Sequence, residues 1–324
     1  MAKLTPMMEQ YFNIKEKNKD SILFFRLGDF YEMFYDDAIV ASKELDIALT
    51  ARDCGQKERA PMCGVPFHSA DGYISKLVGR GYKVAICEQV EDPRLAKGIV
   101  KREVIRIITP GTVIDNIMLD ETKNNYIVCI YSGKNGYGIS ACDVSTGELE
   151  TTELKNYNAN SALFDEISKF LPAEIVSNEE FLNTPFAAQI KERFKISVSC
   201  LDNRCFNIAD ASKRLCGHFK VHSLEGFGLK EMNLSISACG ALLEYLIDTQ
   251  KNGLNHISSI RTYSLLDYMF IDSSSRRNLE LTETMREKSK TGTLLWVIDK
   301  TITAMGARLM RKWVERPLID PASI

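Results

Sequence analysis

No stretch of this 324-residue chain stays apolar for long. Runs such as Ile22 to Phe25 and Ala241 to Ile247 are interrupted by polar or charged residues far sooner than a bilayer span of about 20 residues allows, so no membrane helix is expected. The start, Met-Ala-Lys-Leu-Thr-Pro, has one basic residue and no apolar segment ahead of a cleavage site; a secretory signal is therefore not expected, and the cytoplasm is the default compartment. The nine cysteines form no C-x-x-C pair and are odd in number, which fits reduced thiols better than a disulfide framework. Cys216, His218 and His222 come nearest to a metal signature, but three ligands with Gly217 among them make a weak one. An excess of positive charge is missing too. The formal net charge is -2, so no global basic field advertises nucleic acid, and any DNA contact has to rest on local features. No G-x-x-x-x-G-K-[ST] occurs, and without that phosphate cradle these residues are not expected to hydrolyse ATP.

The composition is that of a globular protein, 45% apolar and 26% charged, and the length allows two or three domains. Thr5-Pro6 starts a helical pattern that runs to Lys17. Ser21 to Leu27 and Phe30 to Phe34 read as strands on either side of a Gly28-Asp29 turn. The acids Asp36-Asp37 open a further helix, and Ser69 to Val78 forms another that leads into the strand Lys83 to Cys87. From Tyr126 to Leu154 three strand-like runs form a meander. Helical and strand-like stretches then alternate: Ser161 to Phe170, Ala173 to Val176, Glu179 to Arg193, Ile196 to Ser199 and Ala209 to Leu215. A long helix over Met232 to Thr249 ends at Asn252-Gly253. Beyond it Tyr268 to Ile271 is strand-like, while Arg276 to Leu281 and Thr293 to Val314 look helical. The fold class is α/β: a mixed α/β first domain, a three-layer, RNase-H-like α/β domain, then the beginning of a mainly helical one. The expected boundaries are 1-112, a linker over 113-124, 125-252 and 253-324. The closing run Arg316-Pro317-Leu318-Ile319-Asp320-Pro321 reads as a connection, so the chain is expected to be the N-terminal part of something longer.

Gly28-Asp29-Phe30-Tyr31-Glu32 matches a signature of mismatch-recognition domains. Thr5-Pro6-Met7-Met8, Pro61 to His68, Val84 to Gln89 and Arg106 to Thr112 follow in the same order and spacing, and Arg276 to Glu280 and Met305-Gly306 with Leu309 to Pro317 extend the match. On these motifs the whole chain resembles the N-terminal part of the bacterial MutS family. Cys63 stands where relatives commonly carry alanine, a small residue for a small one. The resemblance implies DNA mismatch recognition, with Phe30 stacking on a mispaired or unpaired base and Glu32 hydrogen-bonding to it. It further implies a connector over 125-252 that engages MutL. A homodimer and an ATP- and magnesium-dependent motor belong to the full-length protein, with no cofactor in these residues.

Elementary geometry supports the pair independently. In a strand, side chains alternate, so Phe30 and Glu32 share one side and Tyr31 takes the other. An apolar wedge entering the minor groove unstacks a base step at a cost of about a few kcal/mol, less where pairing is already broken. An acid beside phosphates repels ordinary duplex, yet offers a hydrogen bond to a displaced base. Arg52 is a candidate phosphate contact, against the plainer reading of a solvated charge. Met62, in the Pro-Met-Cys-Gly-Val-Pro loop whose family counterpart lies near the bent minor groove, is set against ordinary loop packing.

Two other readings stay open on the sequence. Asp143, with Glu153 and Glu174 as helpers, allows an RNase-H-like nuclease if the carboxylates converge on metal ions. The 125 to 250 region also allows a partner-binding module without mismatch reading, although Phe30 and Glu32 are both intact.

Overall fold

A computed structural model describes residues 4-55, 58-91, 98-114, 119-155, 159-251 and 253-324. The chain divides into two compact units, residues 1-112 with 246-254, and residues 113-245 with 255-324.

The first unit is a six-stranded mixed sheet between helices. Helix α1 (Pro6–Lys17) precedes β1 (Ser21–Leu27), β2 (Phe30–Phe34), α2 (Tyr35–Leu45), β3 (Thr50–Arg52), β4 (Ala60–Pro66), α3 (Ala70–Gly79), β5 (Lys83–Gln89) and β6 (Arg102–Ile108), and the strand order is β3-β4-β2-β1-β5-β6. Only β1 and β5 pair in parallel; the other neighbours are antiparallel. Met8 and Tyr11 of α1 bury against Leu23, Phe25, Phe34 and Ala60 on one sheet face. The Pro-Met-Cys-Gly-Val-Pro stretch, expected as a loop, is strand β4. Its prolines and glycine weaken a strand pattern, but pairing with β2 and β3 on either side fixes it.

The second unit carries β7 (Tyr126–Gly133), β8 (Gly136–Asp143), β9 (Glu148–Leu154), α4 (Ala159–Phe170), β10 (Glu174–Ser177), α5 (Glu179–Leu182), α6 (Pro185–Phe194), β11 (Ser197–Cys200), α7 (Ile208–Phe219), α8 (Asn233–Gln250) as far as residue 245, and β12 (Arg261–Thr262). In the sheet order β11-β10-β7-β8-β9-β12 the meander is antiparallel, and β10 and β11 run parallel to β7. Numbered from β7, the first five strands stand 3-2-1-4-5, which is the RNase-H-like order. The helix expected over Glu179 to Arg193 is broken at Thr184-Pro185, where the threonine side chain caps α6 and proline takes its first turn. Three short helices follow: α9 (Ser273–Asn278), α10 (Leu294–Ile298) and α11 (Ala304–Glu315). The expected helix over Thr293 to Val314 is thus split, because Asp299 bonds the amide and hydroxyl of Thr301 and Thr303 caps α11. The strand expected over Tyr268 to Ile271 is a single bridge, Tyr268 to Leu318.

Helix α8 lies close on β8. A Cβ added at Gly138 would sit 2.0 Å from the Leu234 carbonyl oxygen, and the Glu153 carboxylate accepts from the amides of Leu234 and Ser235 at 2.6 and 3.1 Å. Gly138→Ala is therefore expected to destabilise the protein by about 1–3 kcal/mol through overpacking; an unchanged midpoint in urea unfolding would contradict this contact.

Candidate nucleic-acid interface

Gly28, at φ +58, turns the chain between β1 and β2 in the left-handed region that glycine adopts without cost. The Asp29 carbonyl accepts from the Phe67 amide at 3.0 Å, tying the turn to the end of β4. Phe30 opens β2 directly after it, opposite Leu27 on one side and Pro66 on the other. Its side chain is 47% exposed, a large aromatic held at a strand end outside the buried cluster under α1.

Alternation holds along β2. Tyr31 and Met33 are buried on the far face, while Phe30 and Glu32 stand on the near one. On the far face the Tyr31 hydroxyl donates to Glu88, which also pairs with Arg26 at 3.3 Å. Burial, then the Glu88 hydrogen bond, pushes the Tyr31 phenol well above its ordinary range, so it remains a donor. The Arg26 guanidinium also lies over the Phe67 ring, 3.7 Å from its centre. β2 is thereby pinned from beneath, which fixes the direction of Phe30 and Glu32 above. Phe67 and Glu88 lie within the family-like motifs, but neither they nor Arg26 carry a site role in the sequence; the alternation that sends Tyr31 downward is the signal that points to a partner there.

The pairing registers bring the four candidate residues onto one face. Glu32 stands opposite Gly64, Phe34 opposite Met62, and Met62 in turn opposite Thr50, while Arg52 faces Ala60. Counting by twos places Phe30, Glu32, Met62 and Arg52 on the same side of three adjacent strands. The Arg52 guanidinium forms an ion pair with Glu32 Oε2. The candidate phosphate contact is thus engaged by the candidate base reader. Met62 is half-buried against the cluster under α1, and its carbonyl accepts from the Thr50 hydroxyl at 3.0 Å. Its side chain is in part a packing residue at the rim of this face.

The three acids of the nuclease reading are engaged separately. Asp143 accepts from Asn124, from the Asn125 amide and from Ser145, organising the turn after β8. Glu153 caps α8 and pairs with Lys155, and Glu174 accepts from the Tyr245 hydroxyl at 2.7 Å. Among the described residues no three His, Cys, Asp or Glu side chains are grouped to hold a metal ion. His218 contacts the Ile257 carbonyl at 2.9 Å, and Lys220 ends α7 in the left-handed region before His222, so the two histidines do not share a helix face. All nine cysteines are unpaired. Among the described residues no helix is long and apolar enough to cross a membrane.

Residues 5–117 match the family model for MutS domain I, residues 125–258 that for MutS domain II, and residues 274–324 that for MutS domain III. The chain is 58% identical over 320 residues to the DNA mismatch repair protein MutS of Lachnoclostridium phytofermentans, covering 98% of this chain and 34% of that protein. It is 55% identical to the protein of the same name from Ruminiclostridium cellulolyticum, over all of this chain and 37% of that one. To that of Acetivibrio thermocellus it is 56% identical, over 99% of this chain and 37% of that one. The chain spans about a third of the length of these relatives.

Proposed function

The chain belongs to the MutS family of DNA mismatch repair proteins, and from that premise we propose that the face carrying Phe30 and Glu32 reads mispaired or unpaired bases in duplex DNA. The observation that carries the proposal is a half-exposed phenylalanine at a rigid strand end with a carboxylate two residues on, on the same face. Phe30 enters between base pairs from the minor groove, and Glu32 accepts a hydrogen bond from the displaced base. The sites of weak pairing are those where this insertion costs least. On the same reading, residues 1-112 form the DNA-reading domain and 113-124 a linker. Residues 125-252 form a connector that engages MutL, and 253-324 begin the core domain. On the same reading, homodimer formation and ATP turnover with magnesium are assigned to the full-length protein and not to these residues.

The test is a pair of titrations, matched duplex against one with a single G·T pair, at two salt concentrations. Glu32→Gln removes a charge that repels phosphates and keeps the shape. It is expected to raise affinity for matched DNA several-fold at low salt, with less gain or a loss at the mismatch, so that the ratio between them shrinks. Matched-DNA affinity no higher than wild type at low salt would rule out discrimination by repulsion.

A further inference from the structure

Arg52 is the residue of this face whose role the sequence left widest open. Its register partner is Ala60, whereas Glu32 stands opposite Gly64, four residues further along β4. At about 3.4 Å per residue the two are offset by roughly 14 Å along the strands, so the ion pair needs a side chain as long as arginine running past the level of Met62. Glu32 is the more enclosed partner, with 15% of its side chain exposed against 39% for Arg52. An unpaired carboxylate so placed is poorly hydrated and costly. Beside it Gly64 leaves little spare room, since a Cβ there would lie 3.5 Å from Glu32 Cγ and 3.3 Å from the Tyr31 carbonyl oxygen.

Arg52 takes Oε2, and Oε1 of Glu32 has no partner among the described residues. A carboxylate has lone pairs for more than one donor, so a base can be received at Oε1 while the pair to Arg52 persists. We infer that Arg52 is a positioning residue for mismatch reading: it holds the Glu32 carboxylate on the face of Phe30 before DNA arrives. Ordering Glu32 in advance lowers the entropy lost on binding. This rests on the reading proposed for Phe30 and Glu32.

The readout that separates this role from a phosphate contact is the ratio of mismatched to matched affinity in the complete protein, measured by fluorescence anisotropy at several salt concentrations, with circular dichroism to verify folding. Arg52→Ala is expected to lower the ratio about as far as Glu32→Ala does, and the double variant to lower it no further, as coupled residues require. Arg52→Lys keeps the charge but falls short of Glu32; the ratio is expected to drop while the salt dependence stays near wild type. A phosphate contact behaves otherwise, weakening both affinities alike, leaving the ratio unchanged and reducing the salt slope by about one. That result, with the ratio collapsed in Phe30→Ala and Glu32→Ala, would overturn the role of Arg52 alone. Wild-type ratios in Phe30→Ala and Glu32→Ala would instead sink the mismatch reading, and this inference with it.

Discussion

Phe30→Ala is expected to bring the preference for mismatched over matched duplex close to one while leaving the protein folded. The ring is 47% exposed and lies outside the cluster that α1 buries against the sheet. Exposed substitutions of this kind change stability by about 0.5 kcal/mol or less. The functional loss is far larger, because the ring is the part that profits from a weakened base step. If the wedge supplies about 2 kcal/mol of discrimination, its removal costs roughly thirtyfold in the ratio, at 1.4 kcal/mol per factor of ten. Phe30→Leu keeps an apolar wedge without a flat face and is expected to fall between. The measurement is again a matched and a G·T duplex titrated side by side, with thermal unfolding as the control. A Phe30→Ala protein that keeps the wild-type ratio removes Phe30 from mismatch reading altogether.

What the sequence disclosed about this site was local, and what it hid was set by register. Alternation alone places Phe30 and Glu32 together and Tyr31 apart, since two residues of separation suffice. Arg52 is another matter. It is 20 residues from Glu32 in the chain and meets it only because β3 and β4 pair in one register, fixed by hydrogen bonds that no short pattern encodes. β4 itself was obscured by Pro61, Gly64 and Pro66, residues that signal turns when read without neighbours. The breaks before α6 and α11 were visible in principle as Thr184-Pro185 and Asp299-x-Thr301-x-Thr303 capping signals, but continuous apolar spacing on both sides masked them.

Glu150→Leu is expected to destabilise the second unit by about 3–5 kcal/mol, since it leaves the buried Arg316 guanidinium uncompensated while Lys312 keeps its pair with Glu148. Glu150 lies on β9 opposite Ala141 with 2% of its side chain exposed. Lys312 in the last turn of α11 and Arg316 directly after the helix reach its two oxygens at 2.7 and 2.5 Å. Arg316 is nearly as buried, and its guanidinium also lies over the Phe170 ring at 4.3 Å. Burial by itself would raise the Glu150 carboxyl, but Arg316 and Lys312 outweigh it and hold it below the usual carboxylate range. A depressed folded pKa means that the unfolded chain binds the proton more readily. This contribution to stability is therefore complete above the ordinary carboxylate pKa of about 4.3, and it is lost as pH falls below that value toward the folded one. Urea unfolding between pH 7 and pH 3 should show wild type losing stability over that range, and Glu150→Leu less stable at pH 7 but flatter in its pH dependence. Replacing Glu150 and Arg316 together with apolar residues of similar volume should recover most of the loss, because the cost lies in the stranded guanidinium and not in the absence of the pair. Equal stability of wild type and Glu150→Leu at pH 7 would show that Arg316 finds other compensation, and that α11 is not held to β9 through this charge.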